Sequence, residues 1–89
     1  MNRFFVSGVV QAAPETAFTP KGDRIVMFPL AVQDGGFTVE VVFKGALSTG
    51  EMNVKTGSPV MASGELVKAT GKTRAAYRLR ANKIVVMEG

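Results

Sequence analysis

The stretch FTVEVVFKG, Phe37 to Gly45, sets a phenylalanine near each end of a mostly β-branched run. Side chains alternate along a strand with a period of two, so Phe37 and Phe43 point to one side, together with Val39 and Val41. Aromatic faces on that side have two uses: they fill the core of a small barrel, or they stand on its surface as platforms for other flat groups. The opposite face, Thr38, Glu40, Val42 and Lys44, makes a poor core by itself. Phe28 follows the Val26-Phe28-Leu30 periodicity and reads as core, as does Tyr77 beside Leu79 and Ala81. Phe18 lies in a turn and fits either use.

The second set of chemistry-bearing residues is cationic. Arg78 and Arg80 share one face of the last apolar-alternating run, Arg3 opens the chain, Lys72 and Arg74 flank a late turn, and Lys21 and Arg24 flank an early one. Solvated surface is the commonest fate of such side chains. If they converge, they form a groove for a polyanion. The 89 residues carry 11 Lys and Arg against 7 Asp and Glu, a net charge of +4, which points weakly the same way.

Absences narrow the chemistry. There is no cysteine and no histidine, which removes disulfides, a thiol nucleophile, the usual neutral-pH proton shuttle and the common zinc ligands. Asp23, Asp34, Glu40 and Glu65 are scattered, with no pairing for acid/base work and no EF-hand spacing. No enzyme, metal site or cofactor is expected. The opening MNRFFVSGVV is broken by Ser7 and Gly8 and leads into turn-rich sequence, so neither a signal peptide nor a membrane span is expected, and the expected location is cytoplasmic.

The elements that would position these residues are strands. Phe4 to Val10 is the first, with Gly8 inside it, and a turn at Thr19 to Asp23 precedes the second, Arg24 to Val32. Pro29 lacks a ladder donor, so an edge or a bulge is expected there. Gln33 to Gly36 is a turn and Phe37 to Lys44 the third strand. Residues 45–57 read as a weak helix or loop, with Gly50 in its middle. Ser58 to Ala69 is the fourth strand, with Gly64 inside, and Ala75 to Met87 the fifth, with a bulge near Lys83 where the alternation shifts. The prediction is an all-β chain, one domain over residues 1–89: a five-stranded OB-fold barrel with a short or degenerate helix between strands 3 and 4. An SH3-like or split barrel has a similar parts list.

The opening MNRFFVSGVVQAAPETAFTPKGDRIVMFPLAV resembles the first two strands of bacterial single-stranded DNA-binding proteins. The features shared are Met1, Asn2 and Arg3, then Gly8, the Pro14-Glu15 pair, the Phe18-Thr19-Pro20-x-Gly22 turn, and Phe28, with no gap needed. The likeness resumes in FTVEVVFKGALSTGEMNVKTGSPVMASGEL and covers roughly residues 1–67. It puts Phe37 at that family's stacking Trp and Phe43 at its stacking Phe. The family's long hairpins are cut short here, and its disordered linker and acidic tail are not expected. The trimmed form is closer to the primosomal replication protein B branch, or to a phage or mobile-element version.

The resemblance implies non-catalytic, sequence-independent binding of single-stranded DNA in replication, repair or restart. Phe37, Phe43 and, more weakly, Phe18 would stack bases, while Arg3, Lys21, Arg24, Lys72, Arg74, Arg78 and Arg80 would meet phosphates, making affinity fall steeply with salt. It also implies a homodimer or homotetramer, with replication-restart proteins as further partners. The alternatives are a primosome-type interaction module with weak nucleic-acid binding, and an RNA-binding OB protein.

Overall fold

The computed structural model describes residues 2–32, 35–44, 54–69 and 77–87. Six strands run in chain order: β1 (Phe4–Val10), β2 (Glu15–Phe18), β3 (Arg24–Val32), β4 (Thr38–Lys44), β5 (Pro59–Lys68) and β6 (Tyr77–Val86). The sheet order is β1-β5-β6-β4-β3-β2, and β1 also pairs with β3, Gly8 opposite Val32 and Val10 opposite Leu30. That second pairing closes β1, β3, β4, β5 and β6 into a five-stranded barrel, leaving β2 as an extra strand on β3. All pairs are antiparallel except β4 with β6. This is the OB-fold architecture expected of the strand pattern.

Alternation explains which face turns inward. Val26, Phe28 and Leu30 of β3, Val39 and Val41 of β4, Val60 and Ala62 of β5, and Leu79 and Ala81 of β6 are buried and form one core with Val10. In β6 the inward set moves from Leu79 and Ala81 to Ile84 and Val86. The register slips by one residue where Gly64 faces Ala81 but Ser63 faces Lys83, the bulge expected near Lys83.

Two glycines are required by close approach rather than by turn geometry. A Cβ on Gly8 would lie 2.0 Å from the Ala31 carbonyl oxygen at the β1–β3 seam, and one on Gly64 would lie 2.1 Å from the Arg80 carbonyl oxygen at the bulge. Only a residue without a Cβ lets these backbones meet. Pro29 resolves differently from the expectation. It pairs in register with Glu40 on one side, and on the other it sits where the partner of β3 changes from β2 to β1. Its carbonyl accepts from the Gln11 N–H at 2.9 Å, and the missing proline N–H falls in that gap.

Strand β2 was not expected. Every residue of it is exposed, so no apolar alternation betrays it. It is held by the hairpin that follows: Gly22, at φ +90°, donates to the Thr19 carbonyl, Thr19 N–H to the Asp23 carbonyl, and Asp23 N–H to Thr19 Oγ1. The three-residue loop ending in a left-handed glycine sets the register that places Phe18 opposite Arg24. Asn2 ties down the other end of the described chain, donating from Nδ2 to the Leu66 carbonyl at 2.7 Å and accepting from Leu66 N–H at 3.0 Å. The weak helix expected over residues 45–57 lies mostly outside the described residues.

Candidate nucleic-acid interface

OB-folds present ligands to the outer face of their second and third barrel strands, between the loops that precede the second and the fifth. Here those strands are β3 and β4. The segment between β1 and β3, which contains β2, forms one flank; the other, between β5 and β6, lies outside the described residues with Lys72 and Arg74.

Strand β3 is apolar on both sides. Val26, Phe28 and Leu30 fill the core, while Ile25, Met27, Pro29 and Ala31 face outward half-buried. Met27 and Pro29 thereby line a half-open groove of about 1010 Å³, with Ala12, Ala13, Gln11 and Glu15 on one flank and Phe37, Thr38 and Glu40 on the other. The strand register arranges the polar residues in rows: Glu15, Met27, Val42 and Arg80 across four strands, then Pro29, Glu40 and Arg78 across three. Thr38 Oγ1 donates to Gln11 Oε1 at 2.9 Å, which fixes the Gln11 carbonyl and leaves its amide nitrogen for other partners.

The aromatic residues divide. Phe37 precedes β4 and is 53% exposed at the end of the groove. Its ring lies against Gly35, where a Cβ would come within 2.5 Å of Phe37 Cε1. Phe43 shares the inward parity, stands opposite Val26, and is half-buried against the core. Phe18, at 70% exposure, projects from the β2–β3 hairpin beside Arg24, with Lys21 in the turn. Tyr77 was expected in the core; it has the inward parity but begins β6 at the barrel's end, and is exposed.

The cations are not free on the barrel face. Arg78 Nε is 2.6 Å from Glu40 Oε1, Arg80 lies 4.0 Å from Glu65, and Lys44 lies 3.8 Å from Asp23. Arg24 and Lys21 have no ion pair among the described residues. Arg3 lies just before β1, whose first residue, Phe4, pairs with Gly64 of β5, and it does not line the groove. The groove residues Gln11, Glu15, Met27, Pro29, Thr38 and Glu40 were not among the binding residues expected from sequence. The readable signal was the outward apolar set of β3, which a strand with one solvated face would not carry.

No protein-family model matches the chain, and no curated protein matches it in sequence.

Proposed function

We propose that the chain binds single-stranded DNA without catalysis, laying bases on exposed rings at the β3–β4 face. The observation that carries this reading is the apolar-floored groove on the ligand side of an OB barrel, with the half-exposed Phe37 at its end. Phe18, exposed on the hairpin beside Arg24 and outside the groove lining, would supply a second ring where a strand leaves the groove, with Lys21 and Arg24 for the phosphates. Phe43 has less ring surface to offer, because the core occupies part of it. The resemblance of residues 1–67 to bacterial single-stranded DNA-binding proteins supports the same reading. Carboxylates beside Arg78, Arg80 and Lys44 reduce the positive charge of the face, so the salt dependence is shallower than the cation count suggests.

Fluorescence anisotropy with oligo-dT tests it. Phe37→Ala and Phe18→Ala should each weaken binding by about 1–3 kcal/mol per stacked base. Unchanged affinity in the double variant, with an intact thermal melt, would remove the rings from the mechanism. Equal or tighter binding to oligo-U would move the reading to an RNA-binding OB protein.

The outer face of β1, β5 and β6 favours self-association as a second property. Phe5, Val9, Met61 and Val85 are exposed there, and Ser7, Met61 and Val85 form one cross-strand row. Contiguous exposed apolar surface of this kind marks an interaction site. Burying this apolar row against a second copy would give a dimer or tetramer. Light scattering of the wild type and of Phe5→Asp/Met61→Asp should show an oligomer reduced to monomer. A monomeric wild type would leave the face to a replication-restart protein.

A further inference from the structure

Among the described residues, the groove holds no cation in its lining. Its polar lining is Gln11, Glu15, Thr38 and Glu40. A phosphate has no partner there, and two carboxylates would repel one. Glu40 is engaged by Arg78, which leaves Glu15 as the groove carboxylate with no ion pair or side-chain hydrogen bond among the described residues. Gln11, also in the lining, has its carbonyl held by Thr38, which leaves its amide N–H donors for a ligand. The groove therefore offers an acceptor from Glu15, donors from Gln11 and a ring from Phe37, with no cation paired to Glu15 among the described residues.

We infer that this groove reads base edges, Gln11 and Glu15 favouring bases with an exocyclic amino group beside a ring acceptor nitrogen, cytosine and adenine, over thymine. The inference rests on the single-strand-binding reading above and adds a specificity to it. Cytosine presents its N4 amino group to a carboxylate and its N3 to an amide donor; adenine does the same with N6 and N1 or N7. Thymine offers carbonyl oxygens on both sides of a single N–H, so its O4 would face the Glu15 carboxylate. Discrimination arises because an acceptor covered by the bound base and left facing another acceptor loses its hydrogen bond to water without replacement.

The test compares oligo-dC with oligo-dT of about 15 nucleotides, a length within the site size of one or two OB folds. Thymine runs have an advantage from weak self-stacking that is independent of the groove, so the readout is the ratio of the two affinities, wild type against Glu15→Ala. The expected result is a dC-to-dT preference at least about fivefold lower in the variant, with oligo-dT affinity kept or raised. Glu15→Gln, which keeps an acceptor oxygen without the charge, should retain part of the preference. Glu15 is exposed on β2, and matching thermal melts verify that the variants are folded.

An unchanged ratio in Glu15→Ala overturns the inference while leaving single-strand binding in place. Failure of the wild type to bind either oligonucleotide overturns both. Capture of an oligolysine peptide that depends on Glu15, without any base preference, overturns it in favour of a cationic protein segment.

Discussion

Arg78 donates from Nε to Glu40 Oε1 at 2.6 Å across the parallel pairing of β4 and β6, both side chains about a quarter to a third exposed. The pair occupies the face proposed to meet DNA, and it withholds a guanidinium charge from the phosphates. Glu40→Gln should keep a hydrogen bond to Arg78 while releasing that charge. The expected outcome is tighter binding to oligo-dT, with the slope of log affinity against log salt steeper by about 1. Stability should drop by no more than about 1 kcal/mol. A salt titration of both proteins checks it; an unchanged slope would mean that Arg78 does not reach a phosphate.

The Phe37 ring depends on Gly35. A Cβ there would come within 2.5 Å of Cε1 and 2.9 Å of Cδ1, atoms at the far end of a side chain that can swing away. Gly35 does not need a left-handed backbone, so Gly35→Ala carries no conformational strain. It should leave the melting temperature almost unchanged, with a stability effect under about 0.5 kcal/mol. Oligonucleotide affinity should nevertheless fall toward that of Phe37→Ala. Full retention of binding would show that the ring's present position is not the one used.

At Gly8 the same kind of substitution meets backbone. The Ala31 carbonyl oxygen and carbon would lie 2.0 and 2.8 Å from an added Cβ, and neither can move without opening the β1–β3 seam. Gly8→Ala should cost more than about 3 kcal/mol, a large fraction of the stability of a domain this size. Urea denaturation followed by circular dichroism measures it. A loss below about 1 kcal/mol would show that the seam yields easily.

Asn2 acts as a one-residue extension of the β1 ladder through its two hydrogen bonds to Leu66. Both are solvent-exposed, so Asn2→Ala should cost only about 1 kcal/mol globally. Its effect should be concentrated locally, as faster amide exchange at Leu66 than in the wild type. Unaltered exchange at that amide would remove the clamp from the solution structure.

Much of the barrel is legible in the chain because its strands alternate and its tight approaches demand glycine. The runs Phe4–Val10 and Arg24–Val32 match β1 and β3, and Gly8, Gly64 and the shift near Lys83 mark the places where the ladder bends. β2 escaped because an edge strand solvated on both faces has no pattern to read. The candidate site was less legible. Periodicity assigns Phe37 and Phe43 a common side, but not how far along the barrel each stands. One lies beyond the end of β4 and is open; the other faces Val26 and is partly covered. Nor does sequence pair Arg78 with Glu40, residues brought together only by a parallel contact between strands distant in the chain.

That parallel contact also sets the order in which the molecule can be assembled. β6 follows the other described strands in the chain, yet it lies between β4 and β5 in the sheet. Without it, β5 pairs only with β1 and β4 only with β3, and the β1–β3 seam joins them into one open sheet whose free edges, β4 and β5, have nothing between them. Closure of the barrel must therefore wait for β6 and is dominated by contacts between distant residues, which places folding among the slower small domains.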